Sequence, residues 1–298
     1  MIRSPFFYVG DKYKLMNQLV EFMPSSISTY VDVFTGGGSA FLNVPAKRYL
    51  VNDLDTQLIN LHRKIASHAE QPDQLLEELF KIIERYQLSC SVSGLTVPEE
   101  LRLQYPKTYF AHFNKSAYKR LREDFNSTKS EYLKLYLLLI YGFNRMLRFN
   151  QSGDFNLPVG NVDFNKNVVQ ALADYLKFMD ENEVVFSSKD YAEFIRQLSL
   201  GPNDFVYLDP PYLISYSEYN KLWNAERERE LYELLDELDA RGVRFGLSNM
   251  LEHKGQTNKT LQDWASGYNV HQISSNYISF NDNTIKNGSR ELYVTNHE

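Results

Sequence analysis

Cysteine is almost absent from this chain, with Cys90 the single example in 298 residues. One thiol forms neither an internal disulfide nor a cysteine-based metal cluster, so its expected role is packing in a reducing compartment. Long apolar runs are missing too. No segment approaches the ~20 apolar residues that span a bilayer, and no membrane partner is expected. A basic excess is also missing: 32 Lys and Arg against 38 Asp and Glu give a net charge of −6, which argues against indiscriminate nucleic-acid binding. Met1-Ile2-Arg3-Ser4-Pro5 lacks a secretory pattern, and a cytoplasmic location is expected. The six histidines are scattered, with no ligand spacing, so no metal site is expected.

What is present has ordinary globular proportions, 43% hydrophobic and 23% charged, in a length that suits one α/β domain with an insertion or two modest domains. Short apolar runs predict strands at Tyr30–Phe34, Tyr49–Asp53, Val184–Phe186, Phe205–Asp209, Arg244–Asn249, Val270–Ser275 and Glu291–Thr295. They alternate with helical patterns at Asp55–Ala69 and Ala225–Arg241, the mark of an open, mostly parallel α/β sheet. Over Glu226–Ala240, Leu231, Leu234, Leu235 and Leu238 share one face, with Gly242 at C′ and an acidic face expected in solvent. Between Asn60 and Asp180 the strand pattern gives way to long helical patterns rich in aromatics, which predicts an inserted helical subdomain. The expected boundaries are 1–59 with 181–298 for the sheet domain and 60–180 for the insert. Inside the insert, Ser152-Gly153-Asp154 is flanked by Phe149-Asn150 and Phe155-Asn156-Leu157-Pro158, a hairpin or tight loop. Ser187–Lys189 and Asn281–Gly288 read as surface loops.

The tetrad Asp209-Pro210-Pro211-Tyr212 closes the strand at Phe205–Leu208. Two readings are open. Asp and Pro terminate strands routinely, yet a carboxylate, a carbonyl held by rigid backbone and an aromatic ring also suit a planar exocyclic amine on a heterocycle. Upstream, the strand ending at Phe34 runs into Thr35-Gly36-Gly37-Gly38-Ser39. This is either a helix-entry turn or a loop that lets a ligand approach the backbone. No Gly-Lys-Ser/Thr follows and the dinucleotide spacing is absent, which leaves phosphate poorly served. Asp53, at the next strand end, suits a ribose diol. Phe34 either packs in the core or lines an adenine pocket. Between Lys107 and Arg148 lie Lys115, Lys119, Arg120, Arg122, Lys129, Lys134 and Arg145, either a solvated helix face or a phosphate-binding surface.

In this order, Phe34-Thr35-Gly36-Gly37-Gly38-Ser39, Asn52-Asp53 and Asp209-Pro210-Pro211-Tyr212 resemble the Dam family of DNA adenine-N6 methyltransferases (D12 class, alpha type). Phe6-Phe7-Tyr8-Val9-Gly10-Asp11-Lys12 looks like the family's amino-terminal cofactor motif. Phe143 to Asn150 with Phe155-Asn156-Leu157-Pro158-Val159-Gly160 is similar to its DNA-reading hairpin. The resemblance implies a Rossmann-like sheet with a target-recognition insert, S-adenosylmethionine as methyl donor without a metal, and adenine N6 in double-stranded DNA as acceptor. By motif, Tyr8, Lys12, Phe34, Gly36, Gly38, Asp53, Phe186 and Asp209 would hold the cofactor. Asp209, Pro210 and Tyr212 would handle the target base, and Phe143, Asn144, Met146, Arg148, Asn150 and Pro158 would meet DNA, Arg148 at a guanine. Gly10-Asp11-Lys12 departs from the usual Gly-Gly-Lys, and Phe7 replaces a basic residue that contacts a base in some members. The target is therefore expected to be a short palindrome, GATC first and CATG second. A restriction endonuclease acting on the same site is the implied partner, and nothing in the sequence fixes the oligomeric state.

Adenine N6 lies inside a duplex, so the base must leave the stack, at a cost of a few kcal/mol. Leu213–Asn224 either closes over that base or merely connects two elements. Asp at the head of the tetrad favours adenine over cytosine N4 by family association. An inactive DNA-binding module on the same sheet is the rival from another class, and the intact Gly36–Gly38 loop, Asp53, Asp209 and Tyr212 speak against it.

Overall fold

A computed structural model describes residues 1–215, 222–274 and 288–298. The strands are β1 (Thr29–Asp32), β2 (Arg48–Asn52), β3 (Val184–Ser187), β4 (Phe205–Leu208), β5 (Arg244–His253), β6 (Gln256–Thr257), β7 (Asn269–Ile273) and β8 (Ser289–Thr295). The α-helices are α1 (Met16–Leu19), α2 (Thr56–Ala66), α3 (Pro72–Tyr86), α4 (Glu99–Gln104), α5 (Tyr109–Thr128), α6 (Tyr132–Tyr141), α7 (Lys166–Glu181), α8 (Tyr191–Arg196), α9 (Ala225–Ala240) and α10 (Lys259–Ala265). The chain divides into two compact units. One comprises Met1–Asp11, Gly36–Leu42 and Asp55–Asn182, the other Lys12–Thr35, Asn43–Leu54 and Glu183–Glu298.

The second unit is the sheet, in the order β3-β2-β1-β4-β5-β8-β7, with β6 on β5. From β3 to β5 every pairing is parallel, while β8 and β7 add antiparallel strands. This is the expected mostly parallel α/β sheet, and each expected strand has its counterpart. The apolar run Phe205–Leu208 is buried at every position, as a central parallel strand with both faces covered requires. Residue Ser275 and most of the expected Asn281–Gly288 loop lie outside the described residues.

Two differences have local causes. Strand β5 runs on to His253 past an irregularity between Met250 and Glu252, because β8 continues to pair with it. Strand β6 follows the turn Lys254-Gly255, whose φ values of 49° and 78° bring the chain straight back on β5. Its two residues carry no alternating pattern from which a strand is legible.

Helix α9 packs Leu231, Leu234, Leu235 and Leu238 on Val206, Leu208, Phe245 and Leu247. It ends as its sequence dictates: Gly242 takes φ 70°, and the amides of Gly242 and Val243 return to the carbonyls of Asp239 and Leu238. The expectation of a solvated acidic face needs one correction. Glu226, Glu233, Asp236, Glu237 and Asp239 are exposed, but Glu228 is fully buried. Its carboxylate accepts from Tyr232 Oη, from Asn258 Nδ2 at 2.6 Å and from Asn249 Nδ2 at 3.3 Å through Oε1, and from Trp223 Nε1 at 3.2 Å through Oε2. Four donors from separate positions replace the water that this charge loses.

The first unit is built of α2 to α7. Helix α6 is buried from Leu133 to Tyr141 and is apolar on most of its circumference, with Lys134 in that stretch paired to Glu131 at 2.6 Å. Asp55 is the N-cap of α2, accepting from the amides of Gln57 and Leu58, so the helix starts one residue later than the apolar pattern suggests. Cys90 is a buried free thiol.

Candidate active site

In the sheet unit β1 and β4 are neighbours, and β1 has β2 on its other side. The order of connection therefore reverses between β1 and β4, where open α/β sheets bind ligands beyond the carboxyl ends of the strands. Phe34 and Thr35 follow β1, Asp53 follows β2, Ser187 ends β3, and Asp209 follows β4.

Asp209 is 18% exposed, and its Oδ1 carries all of its polar contacts among the described residues. Lys12 Nζ lies at 3.0 Å and the Tyr212 hydroxyl at 3.1 Å. Oδ2 has no hydrogen-bond partner among the described residues, so it can accept from a ligand. Lys12, 6% exposed, also donates to Tyr212 Oη and lies 3.2 Å from Glu291 Oε1. Its ammonium is 4.8 Å from the centre of the Tyr212 ring. Burial pushes the Asp209 carboxyl above the ordinary range. Lys12 and the Tyr212 hydroxyl pull it back, and Glu291 adds to the rise. Pro210, the next residue, is buried. Motif implies Lys12 beside a cofactor, whereas Glu291 is marked in the sequence only as the lone acid that heads the expected strand Glu291–Thr295.

Phe34 is half-buried, with Tyr191 at 5.5 Å and Trp223 at 5.8 Å between ring centroids, so it sits at the margin of the core rather than inside it. The Thr35 hydroxyl is buried and has no hydrogen-bond partner among the described residues. Asn52 Nδ2 donates to the carbonyls of Val33 and Lys189, and its Oδ1 accepts the Lys189 amide, which ties together the segments following β1, β2 and β3. A buried hydroxyl in need of a partner, a half-buried acid at Asp53 and an aromatic margin at Phe34 fit a nucleoside with a diol. Phe186 is half-buried on edge strand β3, paired with Val51.

In the helical unit, Gly36 and Gly38 take φ 49° and 86°, which L side chains rarely adopt. A Cβ on Gly37 would lie 2.7 Å from Tyr8 Cβ, so Tyr8 packs directly on this loop. The sequence did not signal the residue that supports the loop from below. His62, on the Leu58-Leu61-Ile65 stripe of α2, is buried, its Nε2 donating to the Gly36 carbonyl at 2.9 Å while Nδ1 accepts from Tyr175 Oη at 2.9 Å. Burial lowers its pKa from 6.5 to about 4. The unfolded chain therefore binds a proton that the folded chain refuses as pH falls from 6.5 to 4, and stability present above that window is lost across it. Thermal melts should show a loss of roughly 2 kcal/mol from this residue between pH 7.5 and pH 5, absent in His62→Gln. Identical pH dependence in both proteins would remove the assignment.

The expected hairpin forms between Phe149 and Phe155, with the Asn150 amide donating to the Asp154 carbonyl at 2.9 Å. Asn150 Oδ1 accepts the amides of Ser152 and Asp154, so its acceptor shapes the turn. Arg148 Nε and Nη2 donate to Asn156 Oδ1 and O at 2.9 and 2.8 Å, which fixes the guanidinium by one edge. Phe143 and Asn144 are exposed, Asn144 with φ 55°, while Met146 is half-buried and Pro158 accepts the Phe143 amide at 2.9 Å. Arg145 stacks over the Phe7 ring at 4.4 Å, and Arg122 Nη1 donates to the Leu157 carbonyl at 3.2 Å. Arg122 thus serves the hairpin as well as the basic face.

A family model described as the D12 class N6 adenine-specific DNA methyltransferase matches residues 8–278. The chain belongs to this family. Among its relatives, the modification methylase StsI of Streptococcus sanguinis is 34% identical over 100% of this chain and 43% of its own length. The type II methyltransferase M.FokI of Planomicrobium okeanokoites is 33% identical over 99% of the chain and 43% of its length. The DNA adenine methylase of Escherichia coli K12 is 25% identical over 81% of the chain and 78% of its length. The chain thus spans less than half the length of the first two. Within this D12 chain, the described residues hold no group of three or more His, Cys, Asp or Glu arranged for a metal ion, and no helix long and apolar enough to cross a membrane.

Proposed function

We propose that this chain transfers a methyl group from S-adenosylmethionine to adenine N6 in a short duplex DNA site. The observation that carries this reading is the Asp209 carboxylate, gripped through Oδ1 by Lys12 and Tyr212 while Oδ2 stays available. An adenine amine is a poor nucleophile because its lone pair is delocalised into the ring. Asp209 Oδ2 and the Pro210 carbonyl would accept its two protons, draw the nitrogen toward a tetrahedral shape and localise the lone pair. S-adenosylmethionine, when bound, supplies the electrophilic sulfonium methyl. The nitrogen–carbon bond would form as the carbon–sulfur bond breaks, with the electron pair staying on sulfur. Asp209 steadies the positive charge that develops on nitrogen and accepts the proton that it sheds.

Phe34, Thr35, Asp53 and Phe186 would hold the cofactor from the sheet unit, and motif assigns Tyr8, Gly36 and Gly38 the same task. Residues 60–180 would form the recognition insert. Arg148 suits a guanine: Asn156 occupies its Nε edge, and the end-on pair of Nη groups remains for the O6 and N7 acceptors. Phe143, Asn144, Met146 and Pro158 would surround it. GATC is the first expectation for the site and CATG the second. A restriction endonuclease of the same specificity is the proposed partner, since relatives carry the name modification methylase.

Labelled S-adenosylmethionine and duplex DNA test the reading, with label expected at adenine N6. Transfer to no DNA sinks it. Sequencing of the methylated sites then gives the target. Arg148→Ala should lower discrimination at one guanine by ~1–3 kcal/mol while methylation continues at a wider set of sites. Unchanged site selectivity would take Arg148 out of recognition.

A further inference from the structure

Glu291 is 1% exposed on β8, far in sequence from the Asp209 tetrad, yet its Oε1 lies 2.7 Å from Tyr212 Oη and 3.2 Å from Lys12 Nζ. Tyr212 has one hydroxyl proton, and both Glu291 at 2.7 Å and Asp209 at 3.1 Å lie within reach of it. The shorter contact goes to Glu291. Lys12 points its ammonium at Tyr212, Asp209 and Glu291 together. The Lys12 ammonium therefore stands between two carboxylates, Asp209 at 3.0 Å and Glu291 at 3.2 Å.

We infer that Glu291 is a positioning residue for the transfer reaction: it shares the Tyr212 hydroxyl and the Lys12 ammonium with Asp209, so that both are held against Asp209 Oδ1, and Oδ2 is presented to the target amine. The inference rests on the proposed methyl transfer. Its physical content is a field: a second buried carboxylate makes the site more favourable to the positive charge that builds on nitrogen. Among the described residues, the titratable groups facing Asp209 are Lys12 from the segment before α1, Glu291 from β8, Tyr212 from its own turn and Tyr207 from β4. Burial is the main cause of the raised Asp209 carboxyl and Glu291 adds to it, so removing the Glu291 charge should let that carboxyl ionise at lower pH.

Two measurements decide it. With ¹³C-labelled aspartate, the Asp209 carboxyl should titrate about one pH unit lower in Glu291→Gln than in the unsubstituted protein, and the acid limb of the kcat–pH profile should move with it. At its plateau, kcat should fall roughly tenfold with the KM for S-adenosylmethionine little changed. An unmoved Asp209 titration overturns the inference. If the unsubstituted protein transfers no methyl, the proposed function fails, and the carboxyl titration still decides whether Glu291 governs Asp209. Charge rescue guards against a folding defect in the single variant. Lys12→Met leaves two carboxylates facing each other, and adding Glu291→Gln should raise its Asp209 ionisation and return about tenfold in rate. A double variant worse than Lys12→Met by the factor seen in the single Glu291→Gln variant overturns the inference equally.

Discussion

Asp209→Ala should lower single-turnover methyl transfer by on the order of a thousandfold or more while S-adenosylmethionine still binds and the chain still folds. The loss follows from the proposed role: Asp209 follows β4, Lys12 and Tyr212 hold its Oδ1, and Oδ2 is the acceptor proposed for the amine. The intact fold follows from the electrostatics of the cluster. Asp209 is a desolvated carboxylate whose burial disfavours its charge, so its removal relieves a cost. Lys12 is not stranded, because Glu291 remains at 3.2 Å. Asp209→Asn should fall between the two, since its oxygen still accepts one hydrogen bond without the charge. For the unsubstituted protein the sign is set by the same shift. A carboxyl raised above its ordinary range loses its charge sooner as pH falls, so activity should decline at a higher pH than an ordinary aspartate gives. Turnover in Asp209→Ala equal to the unsubstituted protein would remove Asp209 from the chemistry.

The parts of this molecule that follow from a repeating pattern were legible in its sequence. Continuous apolar runs gave β1, β4 and β5, the leucine stripe gave α9, and Gly242 marked that helix's end. The glycine loop was legible for a similar reason, since Gly36 and Gly38 take φ values that few residue types accept. What stayed hidden were contacts made by single side chains across distant elements. Glu291 reaches Tyr212 only because β8 is inserted beside β5. His62 looks like an ordinary member of an apolar stripe until the Gly36 carbonyl is seen above it. The Arg148 clamp on Asn156 depends on a hairpin whose ends are eight residues apart. Strand β6 has two exposed residues and owes its form to the preceding turn. For Glu291 and His62 the determining partner lies outside the window that periodicity samples, while for Arg148 and β6 it lies inside that window but depends on a turn, which has no period.

Glu228 shows how far such a contact can run against the pattern, and its removal should be the most destabilising change in the sheet unit. It sits in an acid-rich helix, yet it is the hub for Tyr232, Asn249, Asn258 and Trp223. Those partners come from α9 itself, β5, the N-cap of α10 and the segment before α9. Glu228→Ala would strand several buried donors at once, and unsatisfied groups of this kind cost ~1–3 kcal/mol each. The total should reach on the order of 3–5 kcal/mol, or a fall in melting temperature of about 10 °C. Glu226→Ala, at an exposed position in the same helical turn, should change stability by under about 0.5 kcal/mol. A functional effect should accompany the loss. Trp223 is tied to Glu228 through its indole N–H and packs edge-on against Phe34, the ring proposed for the cofactor pocket. S-adenosylmethionine binding should therefore weaken in a folded Glu228→Gln variant, where the carbonyl oxygen keeps part of the network and the amide nitrogen disrupts the rest. Denaturant unfolding and isothermal titration on the three variants check both halves, and equal melting of Glu228→Ala and Glu226→Ala would show that the buried network carries no special share of the stability.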